Sequence, residues 1–210
     1  MSDQPPCLKK NRGRPKTFDR DAALDKALAL FWQHGYEATS LADLVAATGA
    51  KAPTLYAEFV NKEGLFRAVL ERYMEQFAAQ RDAALDCPEQ NVADAIEAFF
   101  RTTAACFSDG KTPNGCFIIC TSTALAANSA EVAELLKSRH RAQEEALLRF
   151  LTQRQQRGEL PAKLALAPLA EYLACLLQGM SVRAREGAST EALNRIIDLF
   201  MRQWPLLTQP

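Results

Sequence analysis

The sequence predicts an all-α chain, and three observations carry that prediction. From Leu24 to Trp204 the apolar residues recur at helical spacing, nothing reads as a convincing sheet, and between Ser40 and Phe66 two short helical patterns flank a glycine turn. The expected architecture is an N-terminal three-helix helix-turn-helix domain joined by a long helix to a C-terminal helical domain. Boundaries are expected at 1–17 for a basic arm, 18–62 for the helix-turn-helix domain and 63–210 for the body.

Composition sets broad bounds. The 210 residues are 48% hydrophobic, enough for a buried core, and 25 Lys and Arg balance 25 Asp and Glu. With zero net charge, any nucleic-acid affinity must come from the local arrangement of charge. Cys7, Cys87, Cys106, Cys116, Cys120 and Cys175 are scattered through a chain with no signal-peptide pattern, so reduced thiols are expected rather than a disulfide framework. No apolar run approaches the ~20 residues that cross a bilayer. A cytoplasmic location is expected.

In chain order, Lys9, Lys10, Arg12, Arg14 and Lys16 stand against a single acid, Asp3. This arm suits phosphates or an adjacent minor groove, or else serves as a solubilising terminus. Asp19 is placed to cap a helix that ends near Gly35, with Leu24, Ala27, Leu28 and Phe31 on one face. His34 at its C-terminal end reads as a helix-end residue. Ser40 with Asp43 starts the next helix and Gly49 stops it; a third begins near Ala52, where Pro53 costs no hydrogen bond, and points Leu55 and Phe59 inward.

Asn61 then caps a helix expected to run unbroken from Lys62 to about Leu85, with Phe66, Val69, Leu70, Tyr73 and Phe77 in one stripe. At ~1.5 Å per residue such a helix spans ~35 Å. After Cys87-Pro88, Asn91 opens a helix through Phe107, closed by the turn-forming run Ser108 to Gly115. A short apolar helix over Cys116 to Ala127, a long one from Ser129 to Gly158, and two final helices over Pro168 to Arg185 and Thr190 to Trp204 complete the pattern.

The run TLYAEFVNKEGLF, with its glycine turn before and amphipathic helix after, resembles the signature of the TetR/AcrR family of bacterial transcriptional repressors. Over its fuller length the chain is similar to the copper-responsive, ComR-type members of that family. The resemblance implies a cytoplasmic homodimer that binds a palindromic operator in double-stranded DNA and holds an effector in a regulatory and dimerisation body. It also places Tyr56 on the DNA backbone. From the residues themselves, Lys51 reaches phosphate or guanine acceptors and Thr54 a base edge or phosphate. Thr39, Ser40 and Lys62 stand at helix starts suited to phosphates. The third helix has no Arg, Asn or Gln between Lys51 and Phe59, so no operator sequence follows. A helical interaction protein without DNA binding is the competing class.

The body shows no phosphate loop, HExxH or GxSxG, which argues against an enzyme and against any required cofactor. Two effector classes compete. A small apolar molecule would sit among Phe99, Phe100, Phe107, Phe117 and Leu148, although such a stripe also reads as core. A soft metal or oxidant would act on thiols. Cys116 and Cys120 share a helix face as a candidate Cu(I) pair, with Cys106, His140, Cys175 and Met180 on helices that could converge on them. Buried structural cysteine is the plain alternative. The dimer interface is expected on Leu169, Leu173, Leu176, Met180, Leu193, Ile196, Ile197, Phe200 and Trp204, stripes that would equally serve a monomer's core.

Overall fold

The structure, a computed structural model, describes residues 18–78, 83–86, 89–110, 112–125 and 129–209. Among these residues there are no strands, and no helix is long and apolar enough to cross a membrane. The basic arm, with Lys9, Lys10, Arg12, Arg14 and Lys16, lies outside the described residues.

Three short helices make the head. Helix α1 (Arg20–His34) starts where the Asp19 carboxylate accepts the Ala22 N–H at 3.0 Å and ends at Gly35, whose φ of +83° suits glycine. Helix α2 (Leu41–Thr48) opens on a full capping box: Asp43 N–H donates to the Ser40 hydroxyl, and Ser40 N–H donates to the Asp43 carboxylate. Gly49 closes it in the left-handed region. Helix α3 (Ala52–Phe59) carries Pro53 in its first turn. It buries Leu55 and Phe59, as the sequence predicts.

Helix α4 (Lys62–Tyr73) begins at Asn61, whose side chain accepts the Gly64 N–H at 2.7 Å. Here the expectation of one unbroken helix to Leu85 is corrected. The α-helix stops at Tyr73, a π-helical turn occupies Met74–Ala78, and a short 3-10 turn follows at Ala83–Asp86. The turn widens where Tyr73 and Phe77 stack at 5.3 Å and both set their edges against Trp32 of α1.

The body comprises α5 (Val92–Phe107), α6 (Phe117–Thr123), α7 (Ala130–Gln156), α8 (Leu166–Arg185) and α9 (Thr190–Leu207). Helix α6 is shorter than expected, and α9 continues past Trp204 through Pro205. Ion pairs brace these elements: Arg101 of α5 reaches Asp198 of α9 at 2.7 Å, and buried Arg154 of α7 bonds the Gln90 carbonyl and the Glu159 carboxylate. A single apolar core runs from α1 to α9.

The expected dimer stripe is also corrected. Leu169, Leu173, Met180, Leu193, Ile197, Phe200 and Trp204 are buried inside the single chain, while Leu176 and Ile196 are half-buried. Each of the last two helices has an inward apolar face, and the sequence pattern picked out that face. What the chain leaves outside is a second set: Tyr172 and Val182 on α8, Leu199 and Leu206 on α9.

Candidate nucleic-acid interface and the body behind it

Helix α3 turns Leu55 and Phe59 into the head and leaves Lys51 and Tyr56 outside; Tyr56 is 48% exposed and Thr54 half-buried. Arg20 of α1 fixes this orientation. Its Nε donates to Glu58 at 2.8 Å and its guanidinium lies 5.5 Å from the centre of the Phe59 ring. A second brace, Arg72 of α4 to Asp25 of α1 at 2.9 Å, holds the helices on either side of the reading pair. The Arg72 hydrogen bond lowers the Asp25 carboxyl below its ordinary range.

Three candidates at helix starts behave differently from one another. Ser40 is exposed, with its hydroxyl engaged in the capping box. Thr39 is only 1% exposed and donates to the Gly35 carbonyl at 2.7 Å. Its side chain is therefore committed to the turn before α2, and the expectation that it faces phosphate is corrected. Lys62 is half-buried, its ammonium 4.3 Å from the centre of the Tyr36 ring, and burial pushes its pKa down.

Sequence reasoning passed over Tyr36 and Gly64. Tyr36 stacks near Phe31 at 5.9 Å and meets Phe66 at 5.1 Å, so it seals the head beneath Lys62. A Cβ on Gly64 would stand 2.1 Å from the Phe59 carbonyl oxygen, so the corner between α3 and α4 admits only glycine. The signal for Gly64 was a glycine inside a helical pattern, a residue that such patterns keep for close backbone approach. In the same corner Val60 has φ +67° and is 75% exposed, a strained setting for a β-branched residue.

The aromatic residues expected to line an effector cavity are packed solid. Phe99, Phe100, Phe107 and Phe117 are buried, and Leu148 packs on the core from its margin. Phe117 has another role: its ring lies within 6.1 Å of Trp32 from α1 and 5.5 Å of both Phe66 and Tyr73 from α4. One ring at the start of α6 thus packs the body against both α1 and α4 of the head. A polar tie runs beside it, Arg185 of α8 donating to the Gln33 carbonyl at 2.6 Å.

The thiols divide. Cys116 is buried; its sulfur accepts the Tyr73 hydroxyl at 3.2 Å and its N–H donates to Ser181 at 2.8 Å. Cys120 lies 3.9 Å from the same Ser181 hydroxyl, and burial raises its pKa. The Ser181 hydroxyl therefore meets Cys116 through its backbone and Cys120 through its sulfur. Cys106 lines a separate void of about 20 Å³ with Phe107, and Cys175 is exposed on an open groove that His140 also borders. Met180 is buried in the core. Among the described residues no group of three or more His, Cys, Asp or Glu side chains is gathered to hold a metal, so the wider convergence expected on Cys116 and Cys120 is corrected.

Comparisons with known proteins agree with this arrangement of head and body. The family described as bacterial regulatory proteins, tetR family, matches residues 23–69, and the tetracyclin repressor-like C-terminal domain matches residues 92–200. The chain is 59% identical over 208 residues to the HTH-type transcriptional repressor ComR of Escherichia coli (strain K12), covering 99% of each sequence. It is 26% identical over 183 residues to the HTH-type transcriptional repressor BdcR of the same strain, covering 86% of each. Among solved structures, a cysteine mutant of the TetR family regulator CifR complexed with 26bp double-strand operator DNA superposes with a TM-score of 0.86 at 33% identity, over 91% of this chain and 100% of that one.

Proposed function

The chain belongs to the tetR family of bacterial regulatory proteins and is a DNA-binding transcriptional regulator, and on that premise we propose that it is a homodimeric repressor released from a palindromic operator by a signal at its body thiols. The observation that carries this reading is the hydrogen bond from Tyr73 to Cys116. Tyr73 is the last residue of α4, whose first turn follows the recognition helix directly, so a change at the Cys116 sulfur acts on the element that positions Lys51, Thr54 and Tyr56.

Cu(I) is the effector whose chemistry suits the pair. It accepts two soft thiolate ligands at low coordination number, and Cys116 and Cys120 border one hydroxyl. Metal binding would take the Cys116 thiol to thiolate and change its partnership with Tyr73. Coupling then requires different Cu(I) affinities for the DNA-bound and released arrangements. Two heads on one palindrome require a dimer, and the outward Tyr172, Val182, Leu199 and Leu206 are the apolar surface available to a second copy.

The test is titration of the purified protein onto its own upstream DNA, with and without Cu(I), repeated with an oxidant. Release by Cu(I), abolished in the Cys116→Ser, Cys120→Ser double variant, supports the reading. Release that survives in the double variant removes those thiols from the sensor.

A further inference from the structure

We propose that the cavity between the π-helical turn, α6 and α7 binds a small monocarboxylic acid, anchored by Arg139 and His140. This site goes beyond the thiol signal and stands independently of it. The cavity has a volume of about 170 Å³. Its walls are apolar where Met74, Ile118, Ile119 and Ala146 line it, and two of its lining residues, Arg139 and His140, each hold a buried nitrogen, Nε and Nδ1, with no hydrogen-bond partner in the protein. Buried polar groups are almost always satisfied, so two such nitrogens on neighbouring residues that line one cavity point to the hydrogen bonds a ligand there would supply.

The tautomer of His140 sharpens the demand. Ser122 donates its hydroxyl proton to the Ile119 carbonyl at 2.9 Å, so its oxygen is left to accept from His140 Nε2 at 3.2 Å. The imidazole proton is therefore on Nε2, and Nδ1 presents a lone pair. The occupant must accept a hydrogen bond at Arg139 and donate one at His140. A carboxylic acid does both: one oxygen takes the guanidinium N–H, and the other carries the proton toward Nδ1. If the ligand arrives as carboxylate, the imidazole takes that proton from solvent, and the stoichiometry of one proton per acid is the same.

Charge and size narrow the class. Arg139 and Arg149 both border the cavity, and Lys137 and Arg141 border the groove on the other side of His140. Cys116, just before α6, and, across the groove, Cys175 of α8 are the other titratable groups among the described residues that line the two spaces. Among the described residues no carboxylate lines either space, so a cation would find no charged partner there. A cavity of about 170 Å³ suits a small ligand. Met74 directly follows Tyr73, and Cys116 is in the wall, so the occupied cavity adjoins the junction between body and head.

Calorimetric titration of the full chain with butyrate, butylamine, butanol and succinate tests this, in buffers of different ionisation enthalpy from about pH 6 to about pH 8. Butyrate is expected to bind with uptake of close to one proton, its affinity falling by up to about tenfold per pH unit. Arg139→Met should weaken it by about tenfold or more, the cost of a lost charge-assisted bond, and His140→Gln should remove the proton uptake. Circular dichroism checks that both variants fold. The Cys120→Ser variant, which alters a thiol outside this cavity, should bind butyrate unchanged, which separates this site from the thiol reading. Equal binding of butanol or butylamine, binding of butyrate without proton uptake, or no binding of butyrate would overturn the assignment.

Discussion

The Tyr73 hydroxyl donates to the Cys116 sulfur across 3.2 Å, and both residues are at least nine-tenths buried. Tyr73→Phe removes the donor and keeps the ring against Trp32, Phe77 and Phe117. The expected cost in stability is about 1 kcal/mol, with operator affinity in the absence of signal nearly unchanged. The response to Cu(I) should shrink severalfold in DNA titrations. A full response would show that the signal bypasses this bond.

Gly64→Ala opposes two effects. Inside a helix alanine is favoured over glycine by about 1 kcal/mol, but here its methyl would stand 2.1 Å from the carbonyl oxygen of Phe59, the last residue of the recognition helix. Backbone cannot yield as a flexible side chain does, so the clash wins. A lower melting temperature and loss of operator binding are expected; a melting temperature at or above that of the parent would contradict the corner geometry.

The head was legible because its signals are local. Asp19, Ser40 and Asn61 each cap the helix they announce, and Leu55 and Phe59 point inward as their spacing requires. What sequence could not supply was the identity of the neighbours. The stripe through Tyr73 and Phe77 fits an α-helix or a π turn equally well, and the choice depends on Trp32, some forty residues earlier. Cys116 and Cys120 are four apart in sequence, but nothing local reveals that one serine, Ser181, meets the backbone of the first and the sulfur of the second. Likewise Leu173 and Leu199 are both apolar residues on amphipathic helices; only packing shows that the first is core and the second is outside.

Lys51 and Tyr56 should be separable by salt. Lys51→Ala removes a charge, so if it neutralises a phosphate the slope of log K against log salt should become shallower by about 0.9. Tyr56→Phe removes a neutral hydroxyl from a half-exposed ring. It should weaken operator binding without altering that slope, and neither change should lower the melting temperature. Anisotropy titrations at several salt concentrations measure both, and an unchanged slope for Lys51→Ala would remove it from the phosphate contacts.

An outward apolar set on α8 and α9 should govern association. Leu199 is 57% exposed in the single chain and makes little of its core, so Leu199→Asp should leave the fold intact while placing a charge on the surface proposed to pair. Sedimentation is expected to show a shift from dimer to monomer, together with loss of tight operator binding. A stable dimer would move the interface away from this face.

His140 gives the unliganded protein a stability that depends on pH. Burial holds its pKa below the ordinary 6.5, so between that folded value and 6.5 the unfolded chain binds more protons than the native one. The stabilisation is fully present above about pH 6.5, falls as the pH drops below it, and levels off once the folded-state pKa is passed. The charged groups across the cavity and groove are Arg139, Arg149, Lys137 and Arg141, with Arg149 paired to Glu145 and both Lys137 and Arg141 to Glu134, and it is desolvation that disfavours the imidazolium. His140→Gln keeps a polar side chain and removes the titration. Melting temperatures of parent and variant should therefore run parallel from about pH 8 to about pH 7 and diverge toward about pH 5, with the parent losing more. Parallel curves throughout would mean that His140 has the same pKa folded and unfolded, and would contradict its desolvation.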